Sequence, residues 1–465
     1  MSTKKKSKRF EAAERFVAKT LLNQFVRYLT KDPMKNVPQV LSFTEKIAPM
    51  ELHKEMIRSI KERFMNDPEL QEWAENLYIN PNVLKHSVVN WVVNAVIFGI
   101  PGRAQLSEEL GIHIPTFMLV DPTSACNLRC TGCWAGEYSK KDTISFERMD
   151  RLCEESKELG MYWMVISGGE PFCYPHLIEL AGKHRDMIFM IYTNGTLIDD
   201  DMADKIAELG NITPAISLEG WKEQTDARRG VGVYDKVMAA MDRLKERGVI
   251  FGASVTATRQ NIDDLFSDAF IDHLIKKGVS YQWCFHYIPV GRDVNLDMVI
   301  TPEQRLYLAK RVPKIRGTKP ILIADFWNDG EFTSGCIAGG RNYFHINAKG
   351  EVEPCAFVHF AVDNIMDKSL IEVLKNPLFK AYQKRIPFSD NHLAPCPMID
   401  NPQFLRDIVK ESGAYPTHAG AETVLEGDLA KFLEKTSSEW DKLSRPLFEE
   451  REAERNKGKK ERSIS

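Results

Sequence analysis

From Pro115 onward the chain repeats one unit: a short apolar run, then an amphipathic stretch, several of which end at a glycine. Runs at Thr116–Val120, Tyr162–Ile166, Met187–Tyr192, Ile212–Leu218, Ile250–Thr256 and Tyr281–Ile288 have the length and composition of buried strands. Between them Ser145–Leu159, Asp199–Leu209, Tyr234–Arg247 and Ile262–Lys277 carry helical periodicity. Gly160, Gly210, Gly248 and Gly278 stand where a helix C-cap belongs. Six such units leave two architectures, a parallel barrel or a doubly wound sheet, and in both a ligand sits at the carboxyl ends of the strands.

The flanking segments read differently. From Phe10 to Gly111 the pattern is mostly helical, with Phe16, Val17, Leu21, Leu22, Phe25 and Leu29 on one face and further helices over Ser42–Met65, Pro68–Leu77 and Leu84–Phe98. The last of these is expected to stop before Ile100-Pro-Gly. Thr301-Pro-Glu-Gln predicts a helix start, Ile321–Asp325 a strand, and Tyr343–Asn347 with Val352–Pro354 a hairpin turning at Lys349-Gly350. Beyond Pro402 the chain is helical and charged, and the run Glu449 to Arg462 reads as a solvated helix that frays. The expected division is a helical domain over 1–112, the βα domain over 113–300, a small α+β domain over 301–400 and a charged helical tail over 401–465.

With 62 Lys+Arg against 65 Asp+Glu, the net charge of −3 offers no basic footprint for nucleic acid, so none is expected as a partner. No apolar export segment follows the basic start, which predicts a cytoplasmic protein. The stretch Val88–Ile100 is broken by Asn90 and Asn94 and falls short of the roughly 20 residues a spanning helix needs. Lys4 to Arg9 followed by an amphipathic Phe16–Leu29 helix would suit a peripheral place on an anionic membrane. A disordered tip ahead of a core-packed helix would leave the same pattern.

The nine cysteines are an odd number in a large chain, which points to metal or catalytic use rather than a disulfide framework. Cys126, Cys130 and Cys133 form a Cys-x3-Cys-x2-Cys loop directly after the first strand run. Three thiolates on one loop can hold three corners of an iron–sulfur cubane and leave one iron open. A structural zinc would be closed by a fourth nearby ligand, and the next candidates, Cys153 and His176, are distant.

This loop resembles that of the radical S-adenosylmethionine (SAM) superfamily, and further segments extend the resemblance in order from Pro115 to Arg292. Ser167-Gly168-Gly169-Glu170-Pro171 at the second strand end is similar to the superfamily's Gly-Gly-Glu-Pro segment. Thr193-Asn194-Gly195-Thr196, Ser217-Leu218-Glu219-Gly220, Arg228-Arg229-Gly230 and Ile288-Pro289-Val290-Gly291-Arg292 look like its SAM-facing strand ends. The family usually has an aromatic before the third cysteine, whereas here Gly132 precedes it and Trp134 follows.

The resemblance implies an α/β fold, a partial (β/α)6 TIM-like barrel, with a [4Fe–4S] cluster on Cys126, Cys130 and Cys133. It implies SAM held at the open iron by Gly168, Gly169, Glu170, Asn194, Ser217 and Arg228, with Glu170 accepting from the SAM amine. Reductive cleavage of SAM would then give a 5′-deoxyadenosyl radical that abstracts hydrogen from a substrate, the electron coming from a carrier such as flavodoxin or ferredoxin. An oxygen-sensitive cluster of this kind suits an anaerobic setting.

Cys336, Cys355 and Cys396 resemble the cysteines of the SPASM and twitch extensions, which implies an auxiliary [4Fe–4S] cluster in the α+β domain. The dense cysteine series of a full SPASM domain is missing, so His392 or Asp400 closes the site or one iron stays open. Three thiols packed around a hairpin would leave the same pattern. Cys153, Cys173 and Cys284 are read as packing residues, with His286 on the same strand face as Cys284. By analogy with such extensions the substrate is a peptide or protein. A lipid or prenyl substrate at a membrane surface, or a non-catalytic electron carrier, are the competing readings. The catalytic residues are not identified from sequence.

Overall fold

The computed structural model describes residues 31–47, 51–68 and 80–464, with Thr20, Gln24, Tyr28 and Gln71 besides. The basic start, and nearly all of the Phe16–Leu29 and Pro68–Leu77 stretches, lie outside the described residues.

Each apolar run forms a strand: β1 Phe117–Val120, β2 Trp163–Ile166, β3 Ile188–Thr193, β4 Ile212–Leu218, β5 Gly252–Ala257 and β6 Tyr281–His286. β7 (Leu322–Asp325), β8 (His345–Ile346) and β9 (Val352–Glu353) extend the same sheet, in the order β7-β6-β5-β4-β3-β2-β1-β8-β9. Every pairing from β7 to β8 is parallel, and only β8 with β9 is antiparallel. The boundary expected at 300 therefore divides one continuous sheet. A short antiparallel pair, β10 (Phe360–Ala361) with β11 (Tyr415–Pro416), completes the strands.

The strand pleat sorts side chains by their parity. Met118, Val120, Met164, Ile166, Phe189, Ile191, Ile216, Val255 and Cys284 face the helical layer and join its core with Leu152, Ile206, Met241 and Leu274. Leu119, Val165 and Met190 alternate with them on the opposite, concave face and pack with the α+β domain. Cys153 and Cys284 are wholly buried in the outer core, as their packing role requires. Of the expected caps, Thr301 closes a capping box with Gln304 and Gly210 is left-handed; Ser145 and Asp199 accept from backbone amides at the starts of their helices, and Ser267 does so at a second start that breaks the helix expected over Ile262–Lys277.

Two expectations need correction. The helix expected to end before Ile100-Pro-Gly continues without a break, Pro81–Leu110, and is long and apolar enough to cross a membrane. Wide π-turns over Trp91–Phe98 precede Pro101 and absorb its ring and missing N–H. Asn90 and Asn94 donate to the carbonyls of Arg185 and Asp186 at 2.5 and 2.9 Å, so one side of this helix is bonded to the βα domain.

The C-terminal run is not a frayed tail either. It ends one helix, Gly427–Ile464, in which Trp440 is buried and donates to Leu393 O at 2.9 Å, while Arg455 pairs with Glu331 at 2.6 Å. Arg305 lies 4.3 Å over the Trp440 ring and pairs with Asp400, joining this helix to the α+β domain.

Candidate active site and its two cysteine sets

A cavity of about 1310 Å³ opens at the carboxyl ends of the strands. Cys126, Cys130 and Cys133 line one side with Gly168, Gly169, Asn194, Ser217 and Arg228; Tyr343, Ala356 and Phe357 of the α+β domain line another. All of the expected SAM-site residues except Glu170 border this cavity.

The cysteine loop is held by its neighbours' backbones. A Cβ on Gly169 would lie 2.1 Å from Ala125 O, and one on Gly291 2.4 Å from Cys133 O, so only glycine permits these approaches. Arg228 donates to Thr131 O at 3.1 Å and Gly132 O at 3.3 Å while pairing with Glu219 at 2.6 Å. It thus braces the loop from below. Asn194 donates to Asn127 Oδ1 at 2.8 Å, tying the third strand end to the same loop.

Glu170 lies behind the lining residues Thr193 and Asn194 and does not itself border the open space. Its buried carboxylate accepts from Thr193 Oγ1 and Asn194 N at 2.7 Å and from Phe172 N at 3.2 Å. Burial raises its pKa against those three donors. In this arrangement Glu170 shapes two strand ends, where the expectation had it accepting from an amine.

The donor set fits an iron–sulfur cluster. Burial pushes the Cys126 thiol up to about 11, and the charges of Glu170, Cys130 and Cys133 add to the rise. Burial raises Cys130 too, with Arg229 opposing. Three thiolates here need added positive charge, which the cluster's iron supplies.

The second set converges as well. Burial raises Cys336, Cys355 and Cys396, the last two to about 11 and 12, and Cys336 feels the charges of Cys396 and Cys355. Of the two expected fourth ligands, Asp400 is engaged elsewhere. Asp400 is taken by Arg305 and by the Cys396 amide at 3.0 Å, and His392 packs on Phe448 at 5.6 Å. The hydroxyl of Tyr343 instead donates to Cys355 Sγ at 2.8 Å.

Between the two sets the cavity wall is aromatic: Phe117, Trp134, Tyr192, Trp283, Phe285, Phe326 and Phe357. Sequence reading did not pick these out. The signal was the period of two in Tyr281-Gln-Trp-Cys-Phe-His286, which puts Trp283 and Phe285 on the concave face and Cys284 behind it. Cys284, His286 and Asp325 bring a thiol, an imidazole nitrogen and a carboxylate oxygen within 4.8 Å of one another. Asp325 is already held by Asn328 Nδ2 at 2.8 Å, and only His286 of the three borders the cavity.

Residues 120–267 match the Radical SAM superfamily and residues 336–398 an iron–sulfur cluster-binding domain, SPASM. The chain carries a radical SAM domain. Its [4Fe–4S] cluster with SAM, and an auxiliary iron–sulfur site, follow from these two domains. The chain is similar to Fe-coproporphyrin III synthase of Methanosarcina barkeri, 33% identical over 41% of this chain and 51% of that one. It thus spans about half the length of that relative. It is 28% identical to the mycofactocin maturase MftC of Mycobacterium tuberculosis, over 58% of this chain and 72% of that one. The SAM-bound crystal structure of Streptococcus suis SuiB shares the fold, with TM-score 0.53 and 16% identity over 74% and 84% of the two chains.

Proposed function

We propose that this chain cleaves SAM reductively and directs the resulting 5′-deoxyadenosyl radical at an apolar group of a peptide or protein. The observation that carries the reading is one cavity bordered by Cys126, Cys130 and Cys133, by the glycine and asparagine strand ends, and by an aromatic wall that reaches Tyr343 and Ala356, the chain neighbour of Cys355. An electron carrier has no use for such a space. When bound, the cluster and SAM supply the electron transfer and the radical.

The chain's own residues bind, orient and exclude water. Gly168, Gly169, Asn194, Ser217 and Arg228 form the SAM side, with Ser254 and Thr256 beyond Ser217 on the sheet floor. The aromatic residues hold the target dry, which protects a reactive radical from quenching. Arg228 and Arg229, the two arginines of the lining, both pair with Glu219 at 2.6 Å, which offsets one of their two charges. That weakens the case for a carboxylate-bearing substrate, although Fe-coproporphyrin III synthase, two AdoMet-dependent heme synthases and a pre-heme d1 synthase among the relatives are named for tetrapyrrole products. The similarity to MftC supports the peptide reading. A small carrier such as flavodoxin or ferredoxin would deliver the electron.

A second reading, a lipid substrate, is favoured by Trp91, Ile97 and Ile100, which are about half exposed on the Pro81–Leu110 helix. In this reading a cytoplasmic protein meets the membrane at its periphery. The deciding experiment uses anaerobically reconstituted protein with SAM and dithionite, and measures 5′-deoxyadenosine with a cellular peptide fraction, lipid vesicles or coproporphyrin added. Stimulation by peptide alone supports the first reading. Stimulation by vesicles or by the porphyrin transfers the assignment, and no product with any of them sinks it.

A further inference from the structure

The β8–β9 hairpin has two working levels, one next to the other. At one, Tyr343 and Cys355 belong to the auxiliary thiol site. At the other, His345 and Glu353 are wholly buried against the barrel. His345 Nδ1 lies 2.6 Å from Glu353 Oε2, and its Nε2 lies 3.0 Å from Asp121 Oδ2, at the end of β1.

From this triad, contacts run to both loops on the SAM side of the cavity. Asp121 Oδ1 accepts from Ser167 Oγ at 2.5 Å, and Ser167 opens the Gly168-Gly169 turn. That turn has no slack, because a Cβ on Gly168 would stand 3.0 Å from Asp121 Cβ and 2.5 Å from Thr123 O. Glu353 Oε1 accepts from Tyr138 Oη at 3.0 Å and from Thr417 Oγ1 at 2.5 Å. Tyr138 lies five residues past Cys133, and Trp134, beside Cys133, meets the His345 ring edge-on at 5.6 Å.

Two side chains of the auxiliary hairpin therefore hold the glycine turn through Asp121 and the cysteine loop through Tyr138 and Trp134. Neither His345 nor Glu353 borders the cavity. Both would act through other residues. His345 Nε2 meets Asp121 as a close charge contact, without an aligned hydrogen bond, while Nδ1 bonds Glu353, so the network ties the groups it joins through one hydrogen bond and one ion pair at the imidazole.

We propose that His345 and Glu353 are positioning residues for SAM, so that SAM binding and order in the auxiliary hairpin are coupled in both directions. The inference rests on the radical SAM reading given above. If it holds, SAM binding should tighten the hairpin from a distance, and loosening the triad should weaken SAM binding without touching a cysteine.

The test uses the full chain, reconstituted without oxygen, and compares wild type with His345→Gln and Tyr138→Phe. Iron and sulfide content and the circular dichroism spectrum come first. SAM binding is then measured by ultrafiltration of labelled SAM, and amide hydrogen exchange is followed over residues 343–355 with and without SAM. The expected result is a rise of about tenfold in SAM Kd for His345→Gln and a smaller rise for Tyr138→Phe. Iron content should be unchanged, and KM for SAM should move more than kcat. SAM should protect the hairpin in wild type and not in His345→Gln. If His345→Gln loses iron or structure, Tyr138→Phe decides alone. Wild-type SAM affinity in the folded variants, or a hairpin indifferent to SAM, overturns the proposal. The superfamily reading itself fails separately, if wild type binds no SAM or binds it undiminished after Cys126, Cys130 and Cys133 are all replaced by Ala.

Discussion

Tyr343 donates its hydroxyl to Cys355 Sγ at 2.8 Å while it also lines the cavity at the strand ends, so one residue touches both the second cysteine set and that open space. A hydrogen bond to a cluster thiolate stabilises the more negative, reduced form of the cluster. Tyr343→Phe keeps the ring and removes the bond. The auxiliary centre should then shift to a more negative midpoint potential, on the order of tens of millivolts, with the first cluster unmoved. Potentiometric titration followed by EPR checks this, and an unshifted auxiliary potential rejects it.

Gly169 bears directly on the cysteine loop. Gly169→Ala puts a methyl 2.1 Å from Ala125 O, a backbone atom that can retreat only by moving Cys126. The variant should lose most of its SAM cleavage, measured as 5′-deoxyadenosine, whereas Gly182→Ala, whose nearest neighbour would be Leu209 Cδ2 at 3.5 Å, should keep it.

Glu170 satisfies three donors in a buried setting. Glu170→Ala leaves Thr193 Oγ1 and the amides of Asn194 and Phe172 unpaired, at a cost of about 1–3 kcal/mol for each group that water cannot reach. SAM turnover should collapse while the iron content of the triad persists. Full SAM turnover in a folded Glu170→Ala protein would show that the strand ends hold without this carboxylate.

The seam between barrel and hairpin should weaken at high pH. Burial opposes the charge on His345, but Asp121 and Glu353 outweigh it and lift its pKa from 6.5 to about 10. A group whose folded pKa is raised stabilises fully below its unfolded value, and that stability disappears as pH climbs through the folded value. Thermal stability should therefore decline between pH 6.5 and about 10, and His345→Gln should flatten that decline. Parallel melting curves for the two proteins across this window would contradict the assignment.

Much of this protein could be read along the chain. Strand runs, glycine C-caps and the Cys126, Cys130, Cys133 spacing are local patterns, and local sterics and periodicity write them directly into neighbouring residues. So is the parity that sends Trp283 and Phe285 to one face and Cys284 to the other.

What the chain alone could not show was which distant residues meet. Leu322–Asp325 became a seventh strand because it pairs with β6, and the helix through Pro101 continued because wide turns ahead of it made room. Asp400 was drawn off by Arg305, and Glu170 turned to Thr193 and Asn194. The Asp121–His345–Glu353 triad joins residues more than two hundred positions apart. No periodicity records such a meeting. The amino-acid sequence determined the strands, the caps and the spacing of the Cys126, Cys130, Cys133 loop. The tertiary structure decided which buried polar groups pair, because each takes its partners from whatever the packing of separate elements brings within reach.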